Sequence, residues 1–419
     1  MRIPHIQSDF GFQTASLFIL DGLANITDFG FHFWMGRVLI PADFAILQTL
    51  NSILLVYTTA CGVLQPVIGR FVAEARGKGQ CDSIPGIFQA FLRVAFWLGL
   101  LLGTLILLVA NNIAQLLNLP PWTVRISAAI IFLSTVRPIA IGALQGQERF
   151  LSFGISRFST AFGRLSFAIL FVSFGLALRG AVIAFPFGWL TGVLISFSFL
   201  GNSVWKKSRP APQGLLQAGW KLSVYALFAY VAFMSLTSLD LIWVNRTLPG
   251  ELAGAYASLV LLRRVVALLP GVAVVVMFPR VAKMLTEGKL PDRLLFRTAA
   301  VILLAGGALT ILYFMFNERL VSIILGNAYL PAASLLGWMG LAMLGVSLSS
   351  IWLNFYLAYR PRNFVILLVS AAALEWILLN LLGPSMRSAV TAFGVTGWFL
   401  SISGLLLYLF KHRGELKHA

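Results

Sequence analysis

The chain has 419 residues, of which 59% are hydrophobic and only 11% are charged, and its formal net charge is +17. Soluble domains carry about 25% charged residues, so this composition excludes an ordinary soluble protein. So high a positive charge is common in proteins that bind nucleic acid, but here the lysines and arginines occupy short loops between apolar runs. That placement indicates membrane topology, and we expect no nucleic acid among the partners.

Apolar runs of about 20 residues, the length that crosses a hydrocarbon core as a helix, follow one another along the chain, and we predict about twelve spans. The first six lie near 14–36, 44–68, 84–110, 122–144, 152–176 and 180–203. The second six lie near 220–246, 251–278, 292–316, 330–357, 363–384 and 388–410. Because lipid offers no partner to an unpaired peptide group, the sequence predicts an all-α polytopic membrane protein.

The stretch 34–78 has a counterpart about 210 residues later, which indicates two similar halves. Each copy has a short turn, one hydrophobic span and a basic loop; the turns read WMGRVLIPADFAIL and WVNRTLPGELAGAY. We predict an N-terminal six-helix lobe over 1–205, a cytoplasmic linker over 206–214 and a C-terminal six-helix lobe over 215–419. Six spans in each half give both lobes the same orientation, and we expect them to be pseudo-symmetric around a central cavity.

The loop charges predict the orientation of the spans. With the N-terminus inside, roughly twenty lysines and arginines lie in the inner loops and tails, against about six in the outer loops. This bias predicts that both termini face the cytoplasm. The two cysteines, Cys61 in a span and Cys81 in a loop, give no disulfide framework.

Three segments carry a family resemblance: GRVLIPADFAIL with its closing RFVAEARGKG, SLDLIWVNRTLPGELAGAYA over 238–257, and LLPGVAVVVMFPRVAKML over 268–285. They resemble the polysaccharide-transport family, which includes the bacterial flippases for O-antigen, teichoic acid and other isoprenoid-linked oligosaccharides. That family is related to the multidrug and toxin extruders. The resemblance implies a multi-pass protein of the bacterial inner (plasma) membrane, with twelve helices in two lobes that alternate between inward-open and outward-open forms.

Charged residues inside the predicted spans are the candidate functional residues. Each would cost roughly 2.5–3.5 kcal/mol if it faced lipid, so most must face a cavity or one another. A guanidinium stays ionised in a low dielectric and offers forked donors to phosphate oxygens, which suits the pyrophosphate of a lipid-linked sugar. The candidate substrate-binding cations are Arg164, Arg263, Arg264, Arg137 and Arg157.

The arginines also have structural alternatives. Arg157 and Arg164 are two helical turns apart and share one face of the fifth span, whereas Arg263 and Arg264 are adjacent and point about 100° apart. Arg137 and Arg157 could instead extend to the cytoplasmic interface. The 263/264 pair could instead hold helices together by pairing with Asp240 or Glu375.

The carboxylates are candidate ion-coupling residues. Asp21 and Asp28 give the first span a polar face, where a carboxylate could take a proton or sodium ion on one side and release it on the other. Asp240 lies in the seventh span and is the third candidate. The alternative for all three is a fixed contact with an arginine, and we assign Glu375 a structural role.

From these residues and the family resemblance, we predict a flippase for an isoprenoid-pyrophosphate-linked oligosaccharide in surface polysaccharide biosynthesis. A cation-coupled exporter of drugs or metabolites is the alternative, and a membrane-embedded sugar-transfer enzyme is disfavoured by the short loops. The expected partners are the lipid-linked oligosaccharide, membrane lipids, and polysaccharide polymerase or glycosyltransferases of the same pathway. The sequence contains no GxxxxGK[ST] motif, and we expect no catalytic residues, metal or cofactor.

Overall fold

A computed structural model describes residues 6–205, 215–359 and 361–412, and within these ranges every regular element is helical. The helices of the first half are α1 (Ile6–Val38), α2 (Pro41–Gly62), α3 (Leu64–Gly77), α4 (Ile84–Leu117), α5 (Pro121–Gly146), α6 (Phe150–Phe171) and α7 (Ala177–Leu200). The predicted linker, 206–214, lies outside the described residues.

The helices of the second half are α8 (Leu215–Leu236), α9 (Leu239–Thr247), α10 (Gly250–Thr286), α11 (Asp292–Met315), α12 (Asn317–Ile324), α13 (Leu336–Tyr359), α14 (Pro361–Leu381) and α15 (Met386–Leu407). With α2 and α3 taken as one span, α8 and α9 as one span, and the short α12 left out, the fifteen helices of the described ranges give twelve spans, as predicted. The prediction of an all-α polytopic membrane protein is confirmed.

By length and hydropathy, eight helical stretches of the described residues could cross a membrane, or nine if the bent α8–α9 pair is included. This count is lower than twelve partly because 150–200 is taken as one stretch of 51 residues. That stretch contains both α6 and α7, which meet at a kink where Gly175 has φ of 81°. Glycine accepts this left-handed conformation without a steric cost, and so the chain can reverse there in very few residues.

The seventh predicted span is broken into two helices. The segments Ala226–Leu236 and Leu239–Thr247 meet at an angle of 43°. A break in a membrane helix frees backbone carbonyl groups, which must then find other donors. One of them, the Thr237 carbonyl, accepts a hydrogen bond of 2.7 Å from Arg263 of α10. The break therefore belongs to the polar site described below.

The chain forms two compact units. Unit 1 comprises Met1–Val38 and Leu54–Val224, and unit 2 comprises Leu39–Ile53 and Tyr225–Ala419. The border between them falls inside α2, so the first half of that helix belongs to the same unit as the C-terminal helices. Within unit 2, for example, Phe44 of α2 packs edge-to-face on Tyr329, with ring centroids 5.7 Å apart.

Candidate functional site

In unit 1, two predicted carboxylates pair with two predicted arginines across α1 and α6. Asp21 Oδ1 lies 2.6 Å from Arg157 Nη1, and Asp28 pairs with Arg164 in the same way. Asp21 and Asp28 are seven residues apart on α1, and Arg157 and Arg164 are seven apart on α6. Seven residues are about two helical turns, so the two ion pairs lie about two turns from each other along the helices. The contacts form a ladder of two ion pairs along the packed helices.

The second ion pair lies in an aromatic and tightly packed environment. The Arg164 guanidinium is 4.6 Å from the centroid of the Phe31 ring and 4.9 Å from that of Phe185 on α7. Gly188 of α7 allows the α6 backbone to approach, since a Cβ there would lie 2.6 Å from the Arg164 Cβ. On the other side, His32 Nε2 is 3.9 Å from Asp28 Oδ2. These contacts fix Arg164 more firmly than Arg157, whose side chain is 43% exposed.

Arg137 of α5 has no carboxylate partner among the residues that the structure describes. Its guanidinium lies 5.1 Å from the centroid of the Trp189 ring, and its Nη2 donates a long bond of 3.4 Å to the Ser156 carbonyl. Its Nε is buried and has no hydrogen-bond partner among the described residues. It also lies near enough to Arg157 to be repelled by that charge. Arg137 is therefore a half-buried cation whose charge is not neutralised in the described part of unit 1.

In unit 2, Asp240 of α9 forms a buried ion pair with Arg263 of α10. The carboxylate is 0% exposed and the guanidinium 3%; the second contact of the fork, from Arg263 Nη2 to Asp240 Oδ1, is 3.1 Å. Tyr256 donates to Asp240 Oδ2 at 2.6 Å, and the Phe393 ring lies 4.1 Å below the guanidinium. The Thr237 carbonyl also accepts a hydrogen bond from Arg263, so both charged groups have several hydrogen-bond partners.

Glu375 of α14 lies beside this ion pair. Its side chain is completely buried, and neither of its oxygens has a hydrogen-bond partner among the described residues. It is close enough to Asp240 and Arg263 to interact with both charges. A buried carboxyl group without a hydrogen-bond partner is costly, so Glu375 is the least compensated carboxyl group among the described contacts of this site.

Arg264 differs from its neighbour Arg263. Its side chain is half-buried, and in the described part of the chain no carboxylate lies within ion-pair distance of it. The two adjacent arginines therefore point to different surroundings, as their positions on a helix predict. Arg263 lies in the ion pair, and Arg264 joins Arg137 as a cation without a carboxylate partner.

Each of the three predicted carboxylates thus forms an ion pair with one of the five predicted arginines. The other two arginines, Arg137 and Arg264, pair with no carboxylate in the described residues. The sequence reasoning missed Tyr256, Trp189 and Phe393, because an aromatic residue in an apolar span carries no signal of its own. The described residues contain no group of three or more His, Cys, Asp or Glu side chains that could hold a metal ion.

Solved structures show which proteins share this arrangement of helices. A multidrug resistance MATE family transporter of the MOP superfamily, in its inward-facing conformation, matches 95% of this chain and 95% of its own, with a TM-score of 0.78 and 12% sequence identity. This is the fold of the MATE transporters. No family model matches the sequence, and no curated protein matches it.

Two further structures with the MATE fold extend the comparison. A Vibrio cholerae MATE transporter matches 99% of this chain and 100% of its own, with a TM-score of 0.66 and 12% identity. A MOP superfamily transporter from Pyrococcus furiosus, described as having a binding pocket of reverse polarity, matches 97% of this chain and 94% of its own, with a TM-score of 0.61 and 12% identity. These proteins are transporters and not enzymes; at 12% identity the likeness establishes the fold and leaves the substrate open.

Proposed function

We propose that this protein is a flippase. It carries an isoprenoid-pyrophosphate-linked oligosaccharide from the inner to the outer leaflet of a bacterial inner membrane by alternating access, for surface polysaccharide biosynthesis. The observation that carries the proposal is the balance of intramembrane charge. Asp21, Asp28 and Asp240 are each neutralised by an arginine, while two further arginines have no carboxylate partner in the described residues.

This balance favours an anionic substrate. A transporter of cations needs a carboxylate that is free to meet its cargo, and the three carboxylates predicted for that role already have partners. Arg137 and Arg264 remain as donors, and a guanidinium offers a planar fork that matches phosphate oxygens. Such donors would compensate the negative charge of a pyrophosphate that carries a sugar as it passes the hydrocarbon core. The isoprenoid tail stays in lipid.

The proposal is tested by the variants Arg137→Gln and Arg264→Gln, alone and combined, in cells whose own copy has been deleted. We expect each change to lower surface polymer, and the double variant to accumulate the complete lipid-linked repeat unit on the cytoplasmic face, as measured by mass spectrometry of lipid extracts. Arg125→Gln is the control, because Arg125 is exposed and, among the described residues, donates a hydrogen bond of 3.1 Å to Asn111. Normal polymer output from the double variant, with protein present in the membrane, would refute the proposal.

A cation-coupled exporter of drugs or metabolites is the second candidate. It is favoured by the likeness to a multidrug resistance transporter and by Glu375, a buried carboxyl group with no hydrogen-bond partner in the described residues. Under this alternative, the deletion strain accumulates no lipid-linked saccharide and becomes sensitive to small toxic cations. Glu375→Gln would then leave the cells as sensitive as the deletion does. The lipid extract and the sensitivity assay therefore separate the two functions.

A further inference from the structure

Unit 2 has an open groove between α13 and α15 that the charge site does not use. Its volume is about 730 Å³. Trp338 and Trp398 line it, and the Trp398 indole donates a hydrogen bond of 3.1 Å to the Leu341 carbonyl. Arg387, in the first turn of α15, supplies its cation. The remaining lining is mostly apolar: Leu335, Leu341, Ala342, Val390, Gly394 and Val395, with Ser334 and Thr391.

Unit 1 has a groove of the same kind along α4, α5 and α7. Its volume is about 640 Å³. Trp97 and Trp205 line it, and the Trp205 ring stacks on Phe197 with centroids 6.2 Å apart. Arg93 of α4 supplies its cation. Its other lining residues are again mostly apolar: Leu92, Phe96, Phe132, Val136 and Val193, with Gln89.

The two grooves therefore combine the same three elements: an apolar slot, two tryptophans and one arginine. Trp97 is 62% exposed and Trp338 is 56% exposed, so both grooves are open at the surface of their unit. In the described part of the chain, neither Arg93 nor Arg387 is paired with a carboxylate. Charge complementarity then selects an occupant with an apolar chain and one anionic group.

The sequence places the two grooves in different leaflets. Arg93 lies early in α4, which the positive-inside bias predicts to begin at the cytoplasmic face. Arg387 lies at the start of α15, which the same bias predicts to begin at the outer face. A lipid that the protein moves across the membrane must be met in one leaflet and released in the other, whereas an ordinary phospholipid needs no matched groove in both.

We propose that these grooves are lateral binding sites for the phosphate end of an isoprenoid lipid, one for loading in the inner leaflet and one for release in the outer leaflet. The first isoprene units lie in the apolar slot between the tryptophans, and the arginine binds the phosphate. This proposal rests on the proposed function and specifies where the substrate meets the protein.

The test uses the full-length protein in phosphatidylcholine vesicles and an isoprenoid monophosphate that carries a diazirine next to the phosphate. After irradiation, mass spectrometry maps the labelled peptides. We expect labels on α4 around Trp97 and on the turn after α7 around Trp205, and on α13 and α15 around Trp338 and Trp398. Unlabelled isoprenoid monophosphate should compete, whereas isoprenoid alcohol and phosphatidylglycerol should not.

The arginines provide the decisive variants. Arg93→Gln should reduce labelling of the first groove, and Arg387→Gln labelling of the second, each on the order of tenfold, because a charge-assisted contact to the phosphate is lost. Arg70→Gln and Arg319→Gln are the controls, since both are exposed cations that line neither groove. Even labelling of all exposed helices, equal competition by phosphatidylglycerol, or unchanged labelling in Arg93→Gln and Arg387→Gln would overturn the proposal.

The export assay distinguishes failure of this proposal from failure of the proposed function. If Arg93→Gln and Arg387→Gln export polymer normally while the combined Arg137→Gln and Arg264→Gln variant does not, the flippase function stands and the grooves are not on its route. If the grooves are labelled as expected but the combined variant exports normally, the lipid sites stand and the proposed function, which is argued from Arg137 and Arg264, fails.

Discussion

At the scale of single residues, most intramembrane charges of the described chain are in ion pairs, and the exceptions are informative. Asp240 and Arg263 have a full set of partners, whereas Glu375 beside them has none in the described residues. Removing one member of a buried pair leaves the other charge uncompensated. Replacing a side chain that makes no hydrogen bond in the described residues removes no such contact.

This difference predicts opposite results for two neutralising substitutions. Asp240→Asn should destabilise the protein by roughly 3–5 kcal/mol, because Arg263 is left buried and unpaired. Glu375→Gln should change stability by less than about 1 kcal/mol, because the amide has the same size and the carboxyl group makes no hydrogen bond in the described residues that could be lost. The thermal unfolding of both purified variants in detergent measures the difference. Equal losses of stability would mean that Glu375 stabilises the fold as strongly as Asp240 does, which would contradict this prediction.

The ion-pair ladder of unit 1 allows a charge reversal. Asp28→Arg should place two arginines side by side between α1 and α6 and cost on the order of 3 kcal/mol. Combining it with Arg164→Asp restores an ion pair of reversed direction and should recover part of the loss. Thermal unfolding of the single and double variants gives the coupling energy; additive losses would show that the two side chains do not interact.

At the scale of elements, two sequence motifs pack on each other in unit 1. GRFVAEARGKGQ lies on α3 and its following turn, and LQGQERF closes α5. Gly142 and Gly146 of α5 allow the α3 backbone to approach closely, and Arg76 then pairs with Glu148 at 3.0 Å. The two motifs are therefore one structural feature, in which small residues set the distance between helices.

This packing predicts that two glycines are hard to replace. A Cβ on Gly142 would lie 2.5 Å from the Gln65 carbonyl oxygen, and one on Gly146 would lie 2.5 Å from that of Gly69. Gly142→Ala and Gly146→Ala should each cost about 1–3 kcal/mol, because backbone must move. Gly22→Ala is the control, since nothing lies within 4 Å of a Cβ there. Thermal unfolding should leave the control unchanged or slightly stabilised; equal behaviour of all three would contradict the packing argument.

At the scale of the whole molecule, the chain divides into two units whose border does not follow the midpoint of the sequence. The first half of α2 belongs to unit 2, although it precedes most of unit 1 in the chain. The sequence repeat, by contrast, indicates two halves of six spans each. The two compact units are defined by contacts between helices, whereas the two halves of the repeat are defined by the order of residues along the chain.

The predicted orientation in the membrane is testable with the natural cysteines. Cys81 is exposed in a turn before α4, and Cys61 is buried in α2. With the N-terminus inside, Cys81 lies on the cytoplasmic face. A membrane-impermeant maleimide should therefore label the protein in inside-out vesicles and not in intact cells, and Cys81→Ser should abolish the labelling. Labelling in intact cells would mean the opposite orientation.

Sequence alone determined the class of the protein and nearly all its spans, because the length of an apolar run and the exclusion of unpaired peptide groups from lipid are local constraints. It also gave the shared face of Arg157 and Arg164, because helical periodicity depends only on spacing. It did not predict the break between α8 and α9, which lies at Thr237 and Ser238 and is marked by no proline.

Only the tertiary structure decided which charges meet. Asp240 and Arg263 are 23 residues apart, and Glu375 comes from α14, far along the chain. No local pattern encodes that meeting, because it depends on which faces of α9, α10 and α14 pack together. The same holds for Arg137 and Arg264: the sequence identified them as intramembrane cations, and the packing of the helices left them without a carboxylate in the described residues.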